Sequence, residues 1–98
     1  MTTLPDQASA EHTARLLVEA RLAACVSILP PCTSIYRWQG KVETSAEIPM
    51  MIKTTRKAYA RLEQHLRECH PYELPEILAT PAVNGLSDYL QWIVGETE

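Results

Sequence analysis

The densest run of chemistry-bearing side chains is Cys69-His70-Pro71-Tyr72-Glu73-Leu74-Pro75-Glu76, which places a thiol, an imidazole, a phenol and two carboxylates in eight residues. On a continuous helix, neighbouring side chains point about 100° apart and do not share an ion. Pro71 lifts that constraint, because the residue before a proline is driven from the helical to the extended region. The Cys69 sulfur and the His70 ring can then converge. The run also ends a helical pattern, where the macrodipole favours a cation. Thiolate with imidazole suits copper or zinc better than magnesium or calcium. Cys69 and His70 are therefore the candidate metal ligands. Cys69 also falls on an apolar stripe, so a place in the core is the competing reading for it. Glu73 and Glu76 flank Pro75 and could move protons, but no nucleophile or second convergent base stands beside them.

Lys53-Thr54-Thr55-Arg56-Lys57 brackets the start of a helical pattern. Free N–H groups and basic side chains there could hold a small anion; a capped helix with solvated charges is the alternative. Tyr36 and Trp38 alternate along a strand and share a face, to line a cleft or to pack in a subunit contact. Tyr36, Trp38, Lys53, Tyr72 and Glu76 are thus the candidate cleft-lining residues. Cys25 sits in an apolar strand and reads as structural, and Cys32 follows two prolines in an exposed bend. His12 and His65 fall on polar helix faces. No P-loop, G-x-G-x-x-G, G-x-S-x-G or H-E-x-x-H is present, which points away from an enzyme.

These groups must be positioned by one α+β domain spanning residues 1–98. Asp6 can cap a helix from Gln7 to Arg21, with Leu16, Leu17, Ala20 and Ala24 on its inner side and Glu11 supporting Arg15 at the surface. Ala23 to Leu29 reads as a buried strand, interrupted by a bend or bulge at Pro30-Pro31 and resumed from Thr33 to Trp38. Gln39-Gly40 forms a hairpin tip. Lys41 to Thr55 returns, and Pro49 within it implies an edge or a bulge. Thr54 or Thr55 can cap a helix from Arg56 to about Cys69, whose stripe is Tyr59, Leu62, Leu66 and Cys69. Ile77 to Val83 reads as another strand, with Pro81 marking an edge. Ser87 can cap a last helix from Asp88 to Val94. The order β-α-β-β-α-β-α, with a short first strand at Thr2-Thr3-Leu4, is that of a ferredoxin-like sheet with helices on one face. The bare face and the long hairpin predict self-association.

Composition closes off other classes. Nine Lys and Arg against 12 Asp and Glu give a net charge of −3, the wrong balance for a nucleic-acid binder. No apolar run approaches the ~20 residues of a membrane span, and the start shows no signal peptide. Three cysteines without a C-x-x-C pair argue against a stapled or zinc-ribbon fold and point to the cytoplasm.

Leu22-Ala23-Ala24-Cys25-Val26, Thr33-Ser34-Ile35-Tyr36-Arg37-Trp38-Gln39-Gly40-Lys41, Ile52-Lys53-Thr54-Thr55, His70-Pro71-Tyr72-Glu73-Leu74-Pro75-Glu76-Ile77 and Asp88-Tyr89-Leu90-Gln91-Trp92-Ile93 together resemble the CutA family of divalent-cation tolerance proteins. The resemblance implies a ferredoxin-like homotrimer whose hairpins extend sheets between subunits, with a role in tolerance of copper and other divalent transition metals. It also implies copper ligands at three positions, a cysteine and two histidines, which fall here on Thr2, Cys69 and His70. One ligand is kept, one is exchanged for another soft ligand and one is lost. Pro31 stands where the family generally has Gly. Two functions are thereby in view: a non-enzymatic metal-responsive trimer, or a sensor of small anions or nucleotide-type metabolites bound in clefts between subunits.

Overall fold

The thirteen residues Lys41–Lys53 form the strand β4, on which every other strand of the chain assembles. In the computed structural model, which describes residues 1–98, β4 is preceded by β1 (Thr2–Leu4), α1 (Gln7–Glu19), β2 (Cys25–Ile28) and β3 (Cys32–Trp38). It is followed by α2 (Arg56–Cys69) and α3 (Ser87–Glu96). β4 runs antiparallel to β1 on one side, from Thr2↔Met50 to Leu4↔Ile48. On the other side it pairs first with β3, from Trp38↔Lys41 to Cys32↔Glu47, and then with β2, from Ile28↔Met50 to Cys25↔Lys53. The strand order β1-β4-β2 with α1 and α2 on one face is the expected ferredoxin-like arrangement, short first strand included.

The bend at Pro30-Pro31 is a bulge, with three residues, Leu29 to Pro31, standing opposite two, Ile48 and Pro49. Of the two readings of Pro49, an edge or a bulge, the structure selects the bulge: β4 is central, and the bulge lies in the strand facing it. The Pro49 carbonyl accepts from the Leu29 N–H at 2.9 Å. In a strand the N–H and C=O of one residue point the same way. The donor that Pro49 lacks would therefore have pointed into the bulge, where no ladder is broken. At the other end of β4, Gln39 (φ 51°) and Gly40 (φ 81°) take the paired positive φ of a tight hairpin turn.

Ile48, Met50 and Ile52 alternate toward the helices. Ile48 and Met50 pack with Leu4, Ala10 and Ala14; Leu17, Leu22, Ala23, Leu62 and Leu66 close the core at the other end. Asp6 caps α1 by accepting from the Ser9 N–H at 2.8 Å. The helix stops at Glu19, before the expected Arg21, because Arg21 adopts φ 60°. The Arg21 and Leu22 amides then turn back to the Val18 and Leu17 carbonyls, a reversal usually made with glycine. Arg21 is held there by donating from Nη2 to the Gly95 carbonyl at 2.6 Å. The inner face of α1 is consequently Ala10, Thr13, Ala14 and Leu17, and Ala20 is exposed. Glu11 accepts from Gln7 at 3.4 Å and makes no ion pair with Arg15.

Other expectations are corrected toward the C-terminus. Thr55 caps α2 as predicted, but its buried stripe is Ala58, Leu62 and Leu66, and Cys69 is exposed. His65 is half-buried with Nε2 enclosed and unpartnered, because it stands one turn from Leu62 at the margin of the stripe. Ser87 is the first residue of α3 and makes no cap bond. Ile77 to Val83 forms no strand. Its one ladder-like exchange is between Leu78 and Met1, whose amine donates to the Leu78 carbonyl at 2.7 Å and whose carbonyl accepts back at 3.1 Å. Beyond it no strand lies alongside Thr80–Val83, and Pro81 has no N–H to donate.

This packing separates Leu66 from Cys69 energetically. Leu66→Ala is expected to cost about 3 kcal/mol by urea unfolding, and Cys69→Ala less than about 0.5 kcal/mol. Equal losses would contradict the assigned stripe.

Candidate functional site

Odd-numbered residues of β4 face away from the helices, so Glu47 and Ser45 lie on the bare side of the sheet with Ser34 and Tyr36 of β3. Thr3 of β1 shares that side, and its hydroxyl donates to Glu47 Oε2 at 2.9 Å. Tyr36 and Ser45 exchange a hydroxyl hydrogen bond of 2.8 Å. The carboxylate of Glu47 is thus half-buried among hydroxyls. Burial alone would raise its pKa. Hydrogen bonds from Ser34, Thr3 and Tyr72, with the His70 imidazole adding its field, outweigh burial and hold the carboxyl below its ordinary range. The acid is charged at neutral pH.

The other half of the site comes from the end of α2. The Pro71 effect holds as expected: His70 leaves the helix with φ −72° and ψ 134°. Its ring thereby lands on the free edge of β1. Nε2 donates to the Thr3 carbonyl at 2.9 Å and lies 3.3 Å from Thr2 Oγ1. Nδ1 accepts from the Tyr72 N–H at 3.1 Å. These partners assign the neutral tautomer with the proton on Nε2. Burial lowers the His70 pKa; the Thr3 carbonyl and the Glu47 charge pull it upward and do not prevail. Tyr72 stacks obliquely on His70 with ring centroids 4.9 Å apart. Burial, the hydrogen bond to Glu47 and that carboxylate's charge push the phenol up to about 12.

Of the residues singled out in the sequence, His70 and Tyr72 meet beside Glu47, and Tyr36 lies near Tyr72 with its hydroxyl bonded to Ser45. Cys69 does not join them through any hydrogen bond, since its sulfur turns back to the Leu66 carbonyl at 3.8 Å. Burial keeps that thiol protonated by raising its pKa. Lys53 lies toward the far end of β4, bonded to Ser27 and 3.7 Å from the Cys25 sulfur. Trp38 sits beside the hairpin tip, and Glu76 lies near the Met1 amine. No three His, Cys, Asp or Glu side chains of the single chain gather at metal-ligating spacing. What the site offers a metal is one imidazole, one carboxylate and threonine oxygens. That donor set fits a divalent transition metal of borderline softness. Glu47, Thr3 and Ser34 were missed in the sequence. The signal available was a lone acid at the polar-to-apolar change within β4.

Both depressed pKa values act in one direction. Each group binds fewer protons when folded, so stability rises with pH in its range. The His70 contribution is present above its ordinary 6.5 and is lost as pH falls toward its lower folded value. The Glu47 contribution is present above 4.5 and is lost as pH falls through its own lower folded value. Tyr72 acts at the alkaline end, its contribution complete below 10.0 and lost as pH rises through about 12. Thermal unfolding should therefore give a melting temperature that falls below about pH 6.5. His70→Ala should flatten the upper part of that decline and Glu47→Gln the lower. Unaltered pH profiles in both variants would contradict the assignment.

Comparison with known proteins agrees with this architecture. The family described as CutA1 divalent ion tolerance protein matches residues 1–96. The divalent-cation tolerance protein CutA of Thermus thermophilus is 45% identical over 93 residues, covering 95% of this chain and 90% of its own. The solved structure of that organism's protein superposes with a TM-score of 0.96, covering 99% of this chain and 94% of that one. Human Protein CutA is 46% identical over 96 residues, 98% of this chain, which spans only 54% of the human protein. A structure titled as the periplasmic divalent cation tolerance protein CutA from Archaeoglobus fulgidus superposes at 0.95 with 37% identity, covering 99% of this chain and 94% of that one. With a family match over nearly its whole length and relatives well above 40% identity, this chain belongs to the CutA1 divalent ion tolerance family.

Proposed function

We propose that the protein serves in tolerance of divalent cations as a non-enzymatic homotrimer, binding copper or another divalent transition metal through His70 and Cys69. The observation that carries this reading is the 3.3 Å approach of Thr2 Oγ1 to His70 Nε2. The resemblance implies a cysteine ligand at the Thr2 position and a histidine at His70, and here the two side chains are neighbours although a hydroxyl has replaced the thiol. A hydroxyl is a harder and weaker donor than a thiolate, which shifts preference from monovalent copper toward divalent ions. Cys69 is the adjoining soft donor. Its recruitment would break its bond to Leu66 and remove its proton, and a bound cation would assist the deprotonation.

Three features support association. Ile35 and Val42 on the β3–β4 hairpin are 71% and 65% exposed, and Leu78 and Val83 are 64% and 88% exposed. Apolar residues along a projecting hairpin and a chain segment without strand partners call for another protein surface. The bare face of the sheet has no covering element in the chain itself. The anion-sensing alternative gains nothing from the geometry, because Lys53 is remote from the cluster and the charged group at its centre is an acid. No helix is long and apolar enough to cross a membrane. The three cysteines are all free, which supports placing the protein in a reducing cytoplasm.

Copper titration followed by calorimetry tests the ligands. Cys69→Ser combined with His70→Ala should weaken binding at least about tenfold, and Thr2→Cys should strengthen binding of monovalent copper; unchanged affinity in the double variant would overturn the reading. Sedimentation equilibrium should return three times the chain mass of 11.0 kDa, and a concentration-independent monomer would overturn the assembly.

A further inference from the structure

α3 stands apart from the rest of the fold. It adds nothing to the sheet, and neither core cluster draws a side chain from it. Ile93 is its one buried residue, while Tyr89, Trp92 and Val94 are 42%, 44% and 64% exposed. No side chain caps its N-terminus. Its ten residues fall short of the roughly 12–15 below which an isolated helix is marginal in water. Contacts outside the core must therefore fix it.

Arg21 supplies them. Its guanidinium lies against the last turn of α3, where free carbonyls and the negative end of the helix dipole favour a cation. Nη2 donates to the Gly95 carbonyl at 2.6 Å and Nε to the Glu96 carbonyl at 3.3 Å. In return the Arg21 carbonyl accepts from the Glu98 N–H at 3.0 Å. The Arg61–Glu98 ion pair adds little, its side chains being 60% and 53% exposed. Arg21 reaches α3 from φ 60°, a left-handed backbone that any residue bearing a Cβ resists. The docked helix offsets that strain, so strain at the end of α1 and docking of α3 are coupled. The other end of the arm is held by the two-bond exchange between Met1 and Leu78. Between Leu78 and α3 the chain forms no regular element.

We infer that residues 79–98 are a strap, anchored at Leu78 and latched by Arg21, which opens as a unit while the sheet, α1 and α2 stay folded. This goes beyond the proposed function and does not rest on it, since neither His70 nor Cys69 takes part. Opening releases one face of α3, on which Tyr89, Trp92 and Ile93 are three and four residues apart. The Tyr89 and Trp92 rings already lie 5.6 Å from each other on that face. The latch is a single side chain, and its loss leaves every strand pairing intact.

Native-state hydrogen exchange of the full chain, read residue by residue at rising sub-denaturing guanidinium, tests the strap. Amides of residues 90–96 should be at least about tenfold less protected than those of residues 62–66 in α2, and less sensitive to denaturant. Arg21→Gly accepts the left-handed backbone and removes only the guanidinium. It should speed exchange in α3 by about tenfold or more and leave α2 unchanged. Arg21→Lys, which keeps the charge without the fork, should fall between. The native chain decides the first point without any variant: α3 amides as protected as those of α2 would overturn the strap. Exchange in α3 indifferent to Arg21→Gly, or equal acceleration of α2 and α3, would overturn the latch.

Discussion

A proline that denies one histidine the helical backbone organises the functional end of this molecule. Without Pro71, α2 could continue past Cys69 and carry His70 around the helix. With it, His70 turns extended and its ring reaches the open edge of β1. Both ring nitrogens then find backbone partners, the Thr3 carbonyl and the Tyr72 amide. Each bond fixes the other, because a ring that donates at one nitrogen must accept at the other when neutral. The same turn brings Tyr72 over the sheet to Glu47. The chain thereby joins an imidazole from one layer to a carboxylate from another through a three-residue strand.

That arrangement depends in turn on the length of β4. A shorter strand could not pair with β1 and β3 and still deliver Glu47 beside both. The bulge from Leu29 to Pro31 lets β2 and β3 share one partner strand while the register shifts by one residue. It also accommodates Pro49 at the centre of the sheet. The cost of this design is an incomplete surface. The hairpin and the segment after Pro71 leave large apolar side chains uncovered, more than a small domain normally tolerates alone.

Much of the frame was readable from residue pattern. Gly40 at the hairpin tip, Asp6 and Thr55 as caps, Pro30-Pro31 as a bend and Pro71 as a stop each act locally, and each appears where expected. Errors arose where the decisive partner was distant. Arg21 ends α1 in a glycine-like conformation because the carbonyls of Gly95 and Glu96 hold its guanidinium. Pro49 left an edge and a bulge both open, because nothing local reveals that the bulge would lie in the facing strand. Ile77–Val83 has strand composition, yet pairing needs a neighbour and only Leu78 has one. The candidate site was half legible. His70 and Tyr72 stood in a conspicuous run, whereas Glu47 lay in an ordinary polar stretch of β4. Its importance comes from Thr3, 44 residues away in the chain. Cys69 was attractive for its chemistry, but the last turn of α2 directs its sulfur back to Leu66.

The central claim is that the His70 ring is a neutral, doubly bonded imidazole whose Nε2 is released to a cation. Nitrogen-15 NMR of the histidine rings, recorded at neutral pH before and after zinc addition, tests it directly. The account predicts a metal-free His70 protonated on Nε2 and accepting on Nδ1, and a zinc-bound ring with the proton moved to Nδ1 and Nε2 shifted by coordination. A His70 spectrum that begins with the proton on Nδ1, or that does not change at saturating zinc, would contradict it.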